Sequence, residues 1–505
     1  MNGLSLRDSR RIIEKRRKKL ERRLRRIQWE DQHQPMLNGS NIHYEMSEKV
    51  NAISCGGIGA IHKMVQWSGL VKGINTQLKL LKCHVPYHES DHVLNMTYNI
   101  LSGGKRLEDI ELNRNNEAYM DALGAQRIPD PTTAGDFTRR FSVEDTITLM
   151  ECINEARKKF WGVTKNNNLK EALIDIDGTI APTYGQCKEG MDISYKGIWG
   201  YAPLIITLAN TKEVLYLVNR SGNVPSHDGA AEWIDRAIEL VKPFSKRICL
   251  RGDTDFSLTS NFDKWSSNVD FVFGMDACPG FVRRAQQIPQ EEWKVLRRAA
   301  KYKVKTKKRD KPTKVKEQIV RERAFKNIRL ESEHVTEFDY SPTKCKKVYR
   351  MVVVRKNLSV EKGQRKLFDD VRYFFYITTR RDLSVSGVVK FANKRCDQEN
   401  VIEQLKNGVN AMRMPVRDLN SNWAYMVIAA LAWNLKAWYG LLMPDATRGT
   451  QILKMEFRSF LHKIILMPYQ IIKRGRRIIY RALGYNDWLK DFFNTWALIR
   501  QLKHT

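Results

Sequence analysis

A short apolar stretch that carries two acids, from Ala172 to Thr179, has residue types that suit cation binding. Its sequence, Ala-Leu-Ile-Asp-Ile-Asp-Gly-Thr, is typical of a buried strand that ends at the Gly-Thr pair. Because strand side chains alternate between two faces, Leu173, Asp175 and Asp177 are expected on one face. A buried carboxylate is costly unless a cation compensates it. The stretch therefore predicts a partner charge supplied by another part of the chain.

Two later stretches offer further groups for such a site. Arg247-Ile-Cys-Leu-Arg-Gly-Asp253 predicts a second strand that ends in an acid. Arg395, Glu399 and Lys406 lie in a predicted long helix that begins at about Ser386. Seven helical residues turn ~700°, within ~20° of two full turns, so the three side chains are expected on one side. A surface stripe of ion pairs would show the same spacing.

The elements around these acids predict an α/β sheet. The predicted order is three strands, a helix and a fourth strand: 172–177, 203–208, 213–219, Asp228–Val241 and 247–253. If the first and fourth strands are neighbours, their terminal acids lie one strand spacing, ~4.8 Å, apart and can share a divalent cation. The strand Val371–Thr378, which precedes the long helix, is expected to complete a mixed five-stranded sheet.

The overall charge points to a polyanionic partner. The 505 residues include 87 Lys and Arg against 56 Asp and Glu, a formal net charge of +31. Such a surface is typical of nucleic-acid binding, although a basic surface without a partner has the same composition. The eight cysteines are scattered, and with no signal peptide they predict a cytoplasmic, nucleoid-associated protein. The most apolar segment, Trp423–Met443, is interrupted by Asn434 and Lys436 and predicts a core helix without membrane contact.

A second group of potential metal ligands lies near the N-terminus of the chain. Cys83 is followed by His84, His88 and His92, which recur every four residues, but Pro86 interrupts the run. Zinc binds such residue types. A solvated loop followed by a helix start explains the same pattern, and we prefer it on sequence alone.

Two strand-end aspartates and a helix glutamate suit two hard divalent cations. Mg²⁺ takes few protein carboxylates and leaves positions for water and phosphate oxygens. Two such ions, roughly 4 Å apart, activate the attacking hydroxyl and stabilise the leaving oxygen in phosphodiester chemistry. The order of the acids and the basic chain around them favour this interpretation.

Taken together, the motifs resemble those of DDE transposases of the IS1380 family, in the wider IS4 group. The resemblance covers roughly residues 55–440. The segments that carry it are Gly103–Glu111, Pro131–Gly135, Ile174–Thr179, Pro182–Gln186, Asn223 with His227–Glu232, Leu250–Phe256 and Trp433–Leu435.

The resemblance implies an RNase H-like catalytic core interrupted by a β-rich insertion. It assigns Asp177, Asp253 and Glu399 as catalytic residues and ligands of two Mg²⁺ ions, with Mn²⁺ as a substitute. Asp175 is the alternate first ligand because it shares a face with Asp177. We favour Asp177 because the Asp-x-Thr pattern of the family falls on it.

Arg395 and Lys406 match the Arg-x3-Glu-x6-Lys signature of the IS4 group and are expected to contact DNA phosphates. The sequence also departs from the family. Ala392, next to Phe391, stands where a Tyr is usual, and Asp255 stands where Gly is frequent. No departure removes an acid, so the resemblance implies an active enzyme.

The implied function is transposition of an insertion sequence, with cleavage at the ends of the element and strand transfer into target DNA. The expected partners are terminal inverted-repeat DNA, target DNA and a second copy of the chain, and no membrane. An RNase H-like nuclease that does not join strands is one alternative. A non-catalytic, domesticated DNA-binding protein is another, and it would bind terminal repeats without needing the acids.

The domain organisation follows from the same features. Arg139 and Arg140 end a short predicted helix that suits either a DNA groove or ordinary packing. The basic run Lys301–Lys316 is a candidate DNA-facing loop. We predict a basic arm (1–44), a helical DNA-binding domain (45–165), a catalytic core in two parts (166–257 and 371–445), a β-rich insertion (258–370) and a basic helical C-terminal region (446–505).

Overall fold

The computed structural model describes residues 6–25, 41–164, 169–185, 187–297, 329–361 and 364–502. The basic run Lys301–Lys316 lies outside the described residues. Within these ranges, no helix combines the length and apolar character that crossing a membrane requires.

The strands are numbered along the chain, and nine of them form one large sheet. They are β1 (Ala52–Ile53), β2 (Ala172–Gly178), β3 (Ala181–Pro182), β4 (Asp192–Ile193), β5 (Trp199–Tyr201), β6 (Leu204–Leu208), β7 (Glu213–Val218), β8 (Ile248–Gly252), β9 (Asp270–Met275), β10 (Lys294–Val295), β11 (Arg329–Tyr340), β12 (Tyr349–Glu361), β13 (Gln364–Thr378), β14 (Tyr469–Arg474) and β15 (Arg477–Ala482).

The helices surround this sheet and extend to both ends of the described chain. They are α1 (Leu6–Arg25), α2 (Ile58–Ser68), α3 (Leu70–Gln77), α4 (Glu89–Leu101), α5 (Ile110–Arg114), α6 (Glu117–Leu123), α7 (Pro131–Thr138), α8 (Val143–Val163), α9 (Ala230–Val241), α10 (Thr259–Trp265), α11 (Pro279–Gln286), α12 (Val385–Asn393), α13 (Cys396–Glu403), α14 (Leu419–Leu441), α15 (Ala446–Lys454), α16 (Phe457–Phe460) and α17 (Leu489–Ile499).

The large sheet is mixed and has nine strands, in the order β10-β11-β12-β13-β9-β8-β2-β6-β7. In its half around β2, strands β8 and β9 run parallel to β2, and β6 runs antiparallel to it. Every residue of β6 and β7 is buried, as the apolar runs in these strands predict. The prediction of a mixed sheet with helices is confirmed, but its count of five strands is wrong.

The sheet has more strands than predicted because β9, β10, β11 and β12, all within the predicted insertion, belong to it. The predicted insertion, 258–370, includes the apolar run at 269–273, and the strand at 371–378 was expected to complete the five-stranded sheet. In the structure β9 pairs with β8, and β13 pairs with the far edge of β9. The short helix α10 connects β8 to β9, so β9 returns parallel to its predecessor. Strand β13 runs continuously through residue 370, where a domain boundary was expected.

The predicted long helix from about Ser386 is also wrong, because it is two helices. The first ends at Asn393, the second begins at Cys396, and a π-helical turn, Gln404–Gly408, continues the second. Arg395 therefore occupies the N-cap position of α13 and lies outside the helix interior. No Gly or Pro marks the break, so periodicity alone could not reveal it.

The C-terminal region departs from its expected helical character. The C-terminal region contains the antiparallel hairpin β14–β15, which pairs with β1. The basic helix α1 has no buried residue, yet it contacts the C-terminal region. Arg16 donates to the carbonyl oxygens of Ala482 and Gly484, both at 3.0 Å.

The predicted core helix is present as α14, which packs against α4, α8 and β7. Asn434, which interrupts its apolar run, bonds the backbone of Val214 in β7. Lys436 donates to the carbonyl of Leu453 and lies over the ring of Trp433. The helix therefore joins the helical N-terminal region to one edge of the sheet.

Candidate active site

The base of the candidate site is a buried ion pair between two neighbouring strands. Asp175 of β2 lies opposite Arg251 of β8 in the parallel register. The guanidinium donates two bonds to the carboxylate, at 2.6 and 2.8 Å, and the side chains are only 1% and 2% exposed. Burial raises the pKa of Asp175, and the Arg251 guanidinium opposes that shift. Both oxygens of Asp175 are therefore already bonded.

The mouth of the site lies two residues further along the same strands. Asp177 is near the end of β2, and Asp253 immediately follows β8. The guanidinium of Arg395 lies between them: its Nη1 donates to Asp177 Oδ2 at 2.8 Å, and its Nη2 is 3.9 Å from Asp253 Oδ2. These side chains are more accessible than the pair below, with Asp177 15% and Asp253 38% exposed.

The carboxylates at the mouth of the site are arranged so that a bound cation would stabilise their charged forms. Burial raises the pKa of Asp177; the Arg395 guanidinium opposes this shift, and the Glu399 carboxylate adds to it. Partial burial, and to a smaller extent repulsion from Asp177, raises the pKa of Asp253 to about 6. Two carboxylates that disfavour each other's charged form are stabilised by a shared positive charge.

Glu399 is placed near these acids by its neighbour in the helix. The buried Gln398 side chain donates to the carbonyl of Asp175 at 3.0 Å and to that of Ile205 at 3.1 Å, which fixes α13 to β2 and β6. Glu399 itself is exposed, and its charge acts on Asp177. The carboxylate of Asp397 turns away and pairs with Lys212 at 2.9 Å.

Lys406 contacts the segment that follows Asp177. Its ammonium donates to the carbonyl of Ile180 at 2.9 Å. Burial lowers the pKa of Lys406, and the positive charge of Lys196 contributes in the same direction. Arg395, Glu399 and Lys406 thus all lie near the first acid, although they do not share one regular helix.

The predicted DNA-binding residues Arg139 and Arg140 lie elsewhere. Both are exposed just after α7. Arg139 pairs with Asp136, and Arg140 Nη1 donates to the carbonyl of Leu80 at 3.4 Å. Their described contacts do not involve the acids at the sheet.

Two residues that build the site, Arg251 and Gln398, were not predicted as site residues from the sequence. Arg251 bonds Asp175 and also donates to the carbonyl of Phe391 at 3.1 Å, which holds the end of α12 against the sheet. Gln398 anchors α13. The signal for Arg251 was present in the repeated spacing, Asp-x-Asp on one strand and Arg-x-Asp on the other, but it required the parallel register of the two strands.

The donor set fits a hard divalent cation. Asp177 and Asp253 converge at adjacent strand ends, and Arg395 supplies positive charge between them. Carboxylate oxygens are the ligands that Mg²⁺ prefers. The exposed Glu399 and Asp253 leave the mouth open to solvent and to a polyanionic substrate.

Comparison with known proteins shows the family to which the chain belongs. The sequence matches the family Transposase DDE domain group 1 over residues 40–504. The chain therefore belongs to the DDE transposases, enzymes that cleave DNA and transfer its strands.

Among solved structures, the chain is similar to piggyBac transposase in a cryo-EM synaptic complex with hairpin DNA. The identity is 12%, the TM-score is 0.37, and the match covers 81% of this chain and 82% of the other. None of the curated proteins matches the sequence.

Proposed function

We propose that this DDE transposase mobilises an insertion sequence of the IS1380 family, in the IS4 group, by cut-and-paste transposition. The observation that carries the proposal is the convergence of Asp177 and Asp253 on Arg395 at the ends of two parallel strands. The α9 crossover and the order of β7, β6, β2, β8 and β9 support an RNase H-like core.

In this proposal Asp177, Asp253 and Glu399 hold two Mg²⁺ ions, with Mn²⁺ as a substitute. When bound, such ions activate the attacking oxygen and stabilise the leaving oxygen of a phosphodiester. Asp175 remains in its ion pair with Arg251, because releasing it would leave a buried guanidinium without its partner. That cost supports Asp177 as the first ligand.

Arg395 and Lys406 serve as phosphate-binding groups. A guanidinium freed from the two carboxylates has the planar fork that binds phosphate oxygens in a bidentate manner. Lys406 holds the backbone at Ile180, so it also fixes the segment that follows Asp177. A water molecule attacks the phosphodiester at the end of the element, and the released 3′-OH then attacks target DNA.

The DNA partners are the terminal inverted repeats and the target duplex, in a nucleoid-associated, cytoplasmic setting. The exposed Arg139 and Arg140 add positive charge on the helical N-terminal region, where we place end recognition. Two ends must be brought together, so we propose a homodimer on DNA.

The test uses purified protein, Mg²⁺ and a DNA that carries both ends of the element, together with the Glu399→Gln variant. The matched control is Asp397→Asn, which removes a carboxylate from the same turn that pairs with Lys212. Excised ends joined to target DNA, lost in Glu399→Gln and retained in Asp397→Asn, would support the proposal. Cleavage without joining would indicate a nuclease, and binding without cleavage would indicate a DNA-binding remnant.

A further inference from the structure

A cluster of metal-ligating side chains lies outside the candidate active site, where the loop after α3 meets the start of α4. His84, His88 and Glu89 each bring one ligand atom within 4.8 Å of the others. Among the described residues, only this group of His, Cys, Asp and Glu meets that geometric condition. We propose that it is a binding site for one divalent transition-metal ion of the zinc class.

The closest pair already has nearly the separation that zinc imposes. His84 Nε2 lies 3.0 Å from Glu89 Oε2. Tetrahedral zinc, with bonds of about 2.0–2.2 Å, places its ligand atoms ~3.3 Å apart. A small outward movement of the exposed imidazole therefore admits the ion between these two atoms.

His88 completes the set from the same side. Its ring stacks on that of His84, with centroids 4.2 Å apart and an interplanar angle of 15°. Both imidazoles are exposed, so His88 can rotate toward Glu89 without disturbing the core. Two imidazoles and one carboxylate leave a fourth position for water, which is a common arrangement for zinc.

Glu89 provides the strongest reason for a cation at this point. Its side chain is 1% exposed, and Oε1 accepts a bond from the backbone N–H of Leu81 at 3.1 Å. Among the described residues, the only ion pair of Glu89 is with His84, which is charged only when protonated. The Leu81 N–H holds Oε1, so Oε2 is fixed toward His84 as an anionic oxygen ligand for a cation.

The structure leaves two members of the sequence pattern, Cys83 and His92, outside the cluster. His92 is buried and stacks on Phe137, with ring centroids 4.4 Å apart. Its side chain therefore faces the core, and Glu89, which the sequence pattern did not include, takes its place. The Cys-His pattern of the sequence and the His-His-Glu cluster of the structure overlap only at His84 and His88.

The metal would fix the loop that connects α3 to α4. This loop includes Leu80, whose carbonyl accepts the bond from Arg140. Binding would therefore order the surface beside Arg139 and Arg140 without touching the catalytic acids. Metal binding at this cluster is independent of the proposed transposition mechanism.

The test is metal binding to the chelator-treated full-length protein in excess Mg²⁺, which occupies carboxylate sites and competes poorly for imidazole. The probes are Zn²⁺, counted by metal analysis after desalting, and Co²⁺, followed by its visible absorption. The variants are His84→Ala and His88→Ala, and the matched control is His462→Ala, which removes an exposed imidazole elsewhere.

We expect the wild type and His462→Ala to retain one more equivalent of Zn²⁺ than His84→Ala, and to give a tetrahedral Co²⁺ spectrum that both cluster variants lose. Hydrogen exchange of residues 79–88 should slow on Zn²⁺ addition only in the proteins that bind it. Equal zinc content in the wild type and His84→Ala would overturn the proposal. So would a wild type that retains no zinc, or an octahedral Co²⁺ spectrum.

Discussion

Asp175 and Asp177 are the same residue type, on the same face of the same strand, in very different surroundings. Asp175 is 1% exposed and bonded through both oxygens to Arg251. Asp177 is 15% exposed and accepts a bond from the side chain of Arg395, which also lies close to Asp253. Two residues along β2 thus separate a closed ion pair from an open pair of acids.

We infer from this difference that depth in the sheet divides structural from chemical roles. A buried pair in good geometry is costly to break, because removing one partner leaves an uncompensated charge in a medium of low polarity. A partly exposed acid can exchange one cation for another, since water and ions reach it. The base of the site, Asp175 with Arg251, should therefore govern stability, and the mouth should govern catalysis.

The largest expected effect is the loss of catalysis at the mouth. Asp177→Asn and Asp253→Asn should each lower the rate of end cleavage by at least ~10³-fold, about 4 kcal/mol in the activation barrier, because each removes a charged ligand of the Mg²⁺ ions in the proposed mechanism. The free energy of unfolding, measured with urea, should change by less than about 1 kcal/mol, since both side chains are partly exposed. A variant that cleaves normally would refute the assignment.

The next effect is on stability at the base. Arg251→Met should lower the free energy of unfolding by about 3–5 kcal/mol, because it leaves the Asp175 carboxylate buried without a partner. The double variant Asp175→Leu/Arg251→Met should be less destabilised than Arg251→Met alone. Urea denaturation followed by circular dichroism measures the free energy of unfolding of both variants. Equal destabilisation of the single and the double variant would contradict this prediction.

Arg395 contacts the acids at the mouth, as Arg251 contacts Asp175 at the base. Arg395→Ala should slow strand transfer roughly 10- to 100-fold, the range expected for losing a charged hydrogen bond worth about 1.5–3 kcal/mol. Arg395→Lys should recover only part of the rate, because an ammonium lacks the bidentate fork. Lys394→Ala, at the exposed neighbouring position, is the control and should keep the wild-type rate.

The smallest effect concerns pH. Because the pKa of Asp253 is raised to about 6, more Mg²⁺ should be needed for half-maximal cleavage as the pH falls below about 6, where the carboxylate is protonated. Asp255 contributes to that shift, so Asp255→Asn should move the dependence to lower pH. Mg²⁺ titrations at several pH values test this prediction. The same pH dependence in the wild type and in Asp255→Asn would exclude coupling between Asp253 and Asp255.

Much of the sheet was predictable from the sequence because its strands are apolar runs bounded by turn residues. The strand at 172–177 and the strand that ends before Asp253 appear as β2 and β8, side by side. The pairing of Asp175 with Arg251 was not predictable, because it depends on the register between two strands that lie far apart in the chain. The general expectation of a partner charge for the acids was nevertheless correct.

The helix that carries Glu399 shows a different limit. Its spacing predicted one continuous helix, but α12 ends at Asn393 and a π-helical turn follows α13. The tertiary contacts of Gln398 and Arg251, which bond the sheet and the carbonyl of Phe391, fix this arrangement. Local periodicity contains no information about these long-range bonds.

The most direct test of the division between base and mouth is a change of ligand chemistry at both aspartates. Asp177→Cys and Asp175→Cys are compared for end cleavage in Mg²⁺ and in Mn²⁺, since Mg²⁺ requires hard oxygen ligands and thiolate bonds to transition-metal ions. We predict that Asp177→Cys cleaves DNA in Mn²⁺ and not in Mg²⁺, whereas Asp175→Cys shows no difference between the two metals. Rescue of Asp175→Cys by Mn²⁺, or full activity of Asp177→Cys in Mg²⁺, would contradict the account.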